Sequence, residues 1–145
     1  MIYIGSDHGG FNLKESLKSH FRTNNVTVED LGVDSSELSD YPDIAAAVAQ
    51  KVVANPGSFG VLICRNGQGI CIAANKVKGI RAAVAWSPEI AASARQHDDA
   101  NIVCLASDFT DEAMAKQIVD AFLAGKFESI ERRVRRIEKL HQLEQ

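Results

Sequence analysis

Val61-Leu62-Ile63-Cys64-Arg65-Asn66-Gly67-Gln68-Gly69-Ile70 is an apolar run that stops at a cysteine and turns at once through two glycines. The next residues, Cys71-Ile72-Ala73-Ala74-Asn75-Lys76, are small enough to begin a helix. A short, wholly apolar run bounded by turn residues reads as a buried parallel strand. Feeding a helix through a glycine-punctuated turn makes it part of a βαβ unit. The turn would set the thiol of Cys64 beside a helix N-terminus. Free N–H groups and partial positive charge there favour a thiolate and any oxyanion next to it. On this motif alone, a small core cysteine beside an ordinary turn fits equally well.

The same alternation runs through the rest of the chain. Strands are expected at Met1–Gly5, Val26–Leu31, Phe59–Ile63, Ile80–Ala85 and Ile102–Leu105. Between them, Phe11, Leu13, Leu17 and Phe21 recur at helical spacing, and Tyr41–Ala54 is rich in alanine and valine. Asn55-Pro56-Gly57-Ser58 is a turn. Ser87-Pro88-Glu89 combines a cap with a proline at the first helical turn, and Asp111–Leu123 is an amphipathic helix ended by Gly125. This order predicts an α/β fold: one domain over residues 1–145, with a five-stranded parallel sheet sandwiched between helices. The tail from Phe127 to Gln145 differs. It reads as a charged helix with a narrow stripe of Ile130, Val134, Ile137 and Leu140, expected to dock on a partner subunit.

Composition narrows the function. A 145-residue chain is long enough for one substantial core, and 24% charged against 46% hydrophobic residues is ordinary for a globular domain. A net charge of −3 speaks against a general nucleic-acid or acidic-membrane binder. Cys64, Cys71 and Cys104 are odd in number and form no C-x-x-C, which argues against a disulfide framework or a zinc knuckle. No His/Cys/Asp/Glu set has metal-ligand spacing. Met1 leads directly into an apolar strand, without the basic and long apolar regions of a signal peptide, so a cytoplasmic location is expected.

In an open parallel sheet, ligands gather outside the carboxyl ends of the strands. Asp7-His8-Gly9-Gly10 follows the first strand, and its glycines let the backbone approach a ligand closely. Asp7 and His8 are candidates for hydroxyl or phosphate binding with acid–base help, against the alternative of a helix cap and a solvated loop histidine. His97, before Asp98-Asp99-Ala100-Asn101, is a candidate proton donor, although a histidine at a helix C-terminus also complements the dipole. By strand order it belongs to the other end of the sheet, and would meet the same site only across a subunit interface. Arg132 and Arg136 are one helical turn apart and suit a phosphate dianion; a solvated face is the alternative. Gly67-x-Gly69 lacks the Lys-Ser/Thr of a Walker loop, and lies too late for a dinucleotide fingerprint.

Taken in order, Gly5-x-Asp7-His8-x-Gly10-Phe11-x-Leu13-Lys14, Asp40-Tyr41-Pro42, Cys64-x-x-Gly67-x-Gly69-Ile70, Ala73-Ala74-Asn75-Lys76, Gly79-Ile80-Arg81-Ala82 and Gln96-His97-Asp98-Asp99-x-Asn101 resemble the ribose-5-phosphate isomerase B family over essentially the whole chain. The resemblance implies a Rossmann-like three-layer αβα sandwich, a homodimer or dimer of dimers with the site at the interface, no cofactor and no metal. The implied reaction interconverts ribose 5-phosphate and ribulose 5-phosphate. It also implies roles. Cys64 resembles the base that moves a proton between C2 and C1, Asp7 and His97 the ring-opening residues, and Tyr41 a pocket residue. His8, Arg132 and Arg136 resemble phosphate contacts. Gly67 and Gly69 belong to the anion-binding loop, and Asn101 to the substrate-contacting segment after His97.

The chain also departs from the family pattern. Arg65-Asn66 stands where the loop usually reads Gly-Thr/Ser, Asp108 where many members carry Arg, and the match at Arg132 needs an insertion after Phe127. Asn66 retains an amide able to donate to an enediolate. The alternatives are an isomerase of a hexose or tetrose phosphate, a non-catalytic sugar-phosphate-binding protein, and a phosphocysteine carrier. The carrier would have no use for Asp7, His97 and the arginine pair.

Overall fold

The computed structural model describes residues 1–144; Gln145, the last residue of the expected tail helix, lies outside the described residues. Strand β1 (Ile2–Ser6) is buried along its whole length. Successive side chains of a strand point to opposite faces. Ile2 and Ile4 therefore join one core and Tyr3 the other. The same period of two governs β3 (Phe59–Cys64) and β5 (Ile102–Ala106). Val61, Ile63, Val103 and Leu105 face one layer; Leu62, Cys64, Ile102 and Cys104 face the other.

Helices cover both faces. On the first lie α1 (Phe11–Thr23), α4 (Pro88–Asp98) and α5 (Glu112–Ala124). Leu13, Leu17 and Phe21 of α1 form the buried stripe that their spacing predicts, each side chain contributing roughly 1.5–3 kcal/mol by leaving water. On the second face lie α2 (Tyr41–Ala54) and α3 (Gln68–Ala74); α2 buries Ala45, Val48, Ala49 and Val52. Helix α4 starts where the sequence predicts, at Ser87, whose side chain accepts from the Ile90 N–H at 3.2 Å. Asp111 does the same for α5 through the Met114 N–H at 2.8 Å.

All strand pairs are parallel, in the order β2-β1-β3-β5-β4, where β2 is Val28–Asp30 and β4 is Ala82–Val84. The expected α/β sandwich with a five-stranded parallel sheet is therefore the observed one. The two edge strands are shorter than their apolar runs suggested. At β4 the free edge is closed by a side chain. Asn75 donates to the Ala82 carbonyl and accepts from the Ala82 N–H, both at 2.8 Å, as a neighbouring strand would.

The tail helix also starts later than expected. Helix α6 spans Glu131–Gln142, because the Glu128 N–H is drawn to the Gln96 carbonyl at 3.0 Å and holds residues 125–130 against the end of α4. No residue of α6 is buried; Val134 and Leu140 of its apolar stripe are exposed.

Candidate active site

The carboxyl ends of β1 and β3 lie side by side, with Ser6 opposite Ile63. After β1 the chain turns into α1 on one face; after β3 it turns into α3 on the other. Divergent helices at adjacent strand ends open a crevice at a topological switch point. The cavity there, about 250 Å³, is lined by Asp7, His8, Tyr41, Cys64, Arg65, Asn66 and Gly69.

Asp7 caps the turn, as one of its two readings expects, and also lines the cavity. Its Oδ1 accepts from the N–H groups of Gly9 and Gly10 at 3.0 and 3.2 Å, a cap on the short 3₁₀ turn leading into α1. Its Oδ2 has no partner among the described residues, and Asp7 is part of the cavity lining. His8 is fixed from the far side of a loop. Its Nδ1 accepts from the Ser39 N–H at 3.3 Å, and its own backbone N–H donates to Ser39 Oγ at 3.0 Å. A neutral imidazole that accepts at Nδ1 carries its proton on Nε2, which is then a donor.

Cys64 ends β3 with only 4% of the residue exposed. Asn66 Oδ1 accepts from the Gln68 N–H at 3.0 Å and lies 3.8 Å from Cys64 Sγ. That fixes the amide's orientation and leaves Nδ2 as a donor without a partner among the described residues. Gly67, at φ 73° in the left-handed region, makes the turn that a residue with a Cβ would strain. The Tyr41 ring lies on Gly69: a Cβ there would sit 2.6 Å from Tyr41 Cζ. Of the loop's four N–H groups, that of Gln68 is taken; those of Asn66, Gly67 and Gly69 have no partner among the described residues. The other thiols belong to the core. Cys104 is fully buried, and burial together with its neighbour Cys71 pushes its thiol up.

A second cluster forms elsewhere. His97, Asp98, Arg132 and Arg136 line a separate cavity of about 280 Å³ between the end of α4 and α6. Arg133 is paired with Glu128, and Arg135 reaches Glu131 at 2.7 Å. Arg132 and Arg136, the two singled out in the sequence, have no acidic partner among the described residues. His97 precedes β5 and Cys64 lies level with its far end, opposite Ala106. The length of a strand, on the order of 15 Å, separates the two clusters along the sheet.

The sequence-predicted residues thus fall into two groups, one around Cys64 and one around His97. Asn101 belongs to neither cavity. Its Nδ2 donates to the Gly79 carbonyl and its Oδ1 accepts from the Arg81 N–H, both at 2.8 Å, which makes it a tie between β5 and the β4 entry. Arg65 was legible only as a departure from pattern, but it lines the cavity. Ser39, which orients His8, gave no sequence signal, because the contact spans 31 residues.

Residues 2–140 match the model of the Ribose/Galactose Isomerase family. The chain belongs to that family. It is 49% identical over 128 residues to the probable ribose-5-phosphate isomerase B of Mycoplasma pneumoniae, an alignment covering 88% of this chain and 84% of that one. It is 42% identical over 144 residues to ribose-5-phosphate isomerase B of Escherichia coli, covering 99% and 96%. Among solved structures it resembles the Mycoplasma genitalium ribose-5-phosphate isomerase B with bound ribulose-5-phosphate. The TM-score is 0.94 at 46% identity, covering 99% of this chain and 95% of that one.

Proposed function

We propose that this chain interconverts D-ribose 5-phosphate and D-ribulose 5-phosphate by proton transfer through a cis-enediolate. The observation that carries this reading is the cavity joining Cys64, Asp7, His8 and Asn66 at the β1–β3 crevice, in a chain 46% identical to a protein solved with ribulose-5-phosphate. Cys64, as thiolate, removes the proton on C2 of the open aldose and returns it to C1 on the same face, while the O2 hydroxyl proton passes to O1. The oxyanion that develops is met by the Gly67 and Gly69 N–H groups and by Asn66 Nδ2, each such donor being worth about 10²- to 10³-fold in rate where measured. Asp7 and His97 exchange the protons that open the furanose ring. His8, Tyr41, Arg132 and Arg136 hold the phosphate end. Every step is a proton transfer, so no electron acceptor enters.

The working unit in this reading is a homodimer. A second copy brings its own His97, Arg132 and Arg136 to the Cys64 cavity of the first. Three features support it: two half-sites in different cavities, two arginines without acidic partners among the described residues, and an apolar stripe on α6 that the described residues leave exposed. Among the described residues no helix is long and apolar enough to cross a membrane. All three cysteines are free thiols, which suits a reducing cytoplasm.

A coupled assay with ribose 5-phosphate beside tetrose and hexose phosphates tests the reading. Ribose 5-phosphate should be turned over with the highest kcat/KM. Preference for another sugar phosphate would move the assignment within the family, and binding without turnover of any of them would reduce the protein to a binder.

A further inference from the structure

We infer that Arg65 is a substrate-binding residue, taking the phosphate group at the mouth of the cavity, and that Asp108 positions it and competes with the phosphate for its guanidinium. The inference rests on the sugar-phosphate reading above. It starts from the backbone. Beyond the last paired strand residues, the Ser107 N–H donates to the Cys64 carbonyl and the Asp108 N–H to the Arg65 carbonyl, both at 2.9 Å. The β3–β5 ladder thus continues into the loops and sets residue 65 beside residue 108. The Arg65 stem is then seated on Gly9: a Cβ at Gly9 would lie 2.5 Å from Arg65 Cγ. Only a glycine leaves room for the stem to run across the top of α1 in this way.

The guanidinium ends where a ligand can take it. Arg65 Nη1 lies 3.6 Å from Asp108 Oδ1, with the side chains 63% and 48% exposed. That separation exceeds the roughly 2.7–2.9 Å of a charge-assisted hydrogen bond, and an exposed pair of this kind is a weak tether. The group has five N–H donors, and Asp108 is the one carboxylate within ion-pair distance of it among the described residues, while Asp7 shares its cavity lining. Arg65 adjoins Cys64 and His8 in the same lining. A phosphate dianion offers a planar fork two oxygens at hydrogen-bond length, against one distant carboxylate oxygen. The loop that supplies the base would therefore also supply a cation from the same chain.

The test uses the intact protein with two readouts: calorimetric binding of inorganic phosphate, and KM and kcat for ribose 5-phosphate. Arg65→Ala should weaken phosphate binding about tenfold and raise KM by a similar factor, with kcat falling less. Arg65→Lys should recover part of that loss. Asp108→Asn should tighten phosphate about threefold by releasing the guanidinium, and the double variant should behave like Arg65→Ala alone, because the carboxylate acts only through Arg65. Wild-type phosphate affinity in Arg65→Ala would overturn the role of Arg65. Equal tightening by Asp108→Asn with and without Arg65 would overturn the role of Asp108. Wild-type protein that fails to turn over any sugar phosphate would count against the isomerase reading instead, and calorimetry would still decide on Arg65.

Discussion

The cavity around Cys64 and the basic face of α6 are built in opposite ways. Around Cys64 nearly every group is held by the rest of the chain. Asp7 is locked by two backbone N–H groups, His8 by Ser39, Asn66 by Gln68, and Tyr41 by its seat on Gly69. On α6, Arg132 and Arg136 stand beside His97 with no carboxylate among the described residues to hold them, on a helix that buries none of its residues. A preorganised half suits the making and breaking of bonds, which tolerates little misplacement. A half with unpaired charge suits capture of an anion that is absent until substrate arrives. The two halves lie at opposite ends of the same sheet, so in the proposed dimer each site draws them from different chains.

The largest effect should come from the preorganised half. Cys64→Ala should lower kcat by about 10³-fold or more, with KM changed far less, since proton removal depends on a placed base. Turnover near the wild-type level would end the role given to Cys64. The same variant probes the relation between the halves. Mixed and reassembled with His97→Ala, which in the proposed mechanism is impaired in ring opening, it should regain activity. With random pairing in a two-fold dimer, about one quarter of the sites carry both intact residues. No recovery on mixing would place Cys64 and His97 within one chain's working unit and break the dimer reading.

The anion-capturing half should respond in KM. Arg136→Ala should raise KM for ribose 5-phosphate about tenfold or more, by loss of charge-assisted hydrogen bonds to phosphate, while Arg135→Ala, whose guanidinium is already engaged by Glu131, should change it little. Equal effects from the two would mean that α6 acts through general charge rather than through an unpaired site.

Most of the preorganised half was legible in the sequence, because local chemistry builds it. Short apolar runs placed the strands, the spacing of Leu13, Leu17 and Phe21 placed α1, and Cys64 before Gly67 and Gly69 marked the crevice. What escaped depended on contacts distant along the chain. That β5 slips between β3 and β4 is a matter of pairing, which the order of elements does not dictate. Asn101 looked like a ligand-contacting residue by its neighbours, yet spends both polar atoms on Gly79 and Arg81. Arg65 and Asp108 looked like two separate oddities until the β3–β5 ladder set them side by side. The start of α6 escaped as well, because the bond from Glu128 to Gln96 is tertiary.

The contrast also predicts different responses to acid. Lys14 is wholly buried and donates to both oxygens of Asp30 at 2.9 and 2.8 Å, and to the Val33 carbonyl. Lys18 adds a bond to Asp30 at 2.6 Å. This network pins the chain beside the Ser6–Asp7 segment, where the Gly32 carbonyl accepts from the Ser6 N–H at 2.7 Å. Burial works against an ionised Asp30, but hydrogen bonds from Lys14, Lys18 and the Gly32 N–H outweigh it and hold the carboxyl below its ordinary value. A depressed carboxyl contributes stability that is present above the unfolded value, near 4, and lost as pH falls through the folded one. Asp30→Asn should therefore flatten the acid limb of the unfolding curve below about pH 4. Lys14→Met should destabilise by about 2 kcal/mol in urea melts, less than a fully buried pair loses because Lys18 still serves Asp30. Arg132→Ala and Arg136→Ala should leave the acid limb where it is. An acid limb unchanged in Asp30→Asn would show that the Cys64 half owes its rigidity to something other than this network.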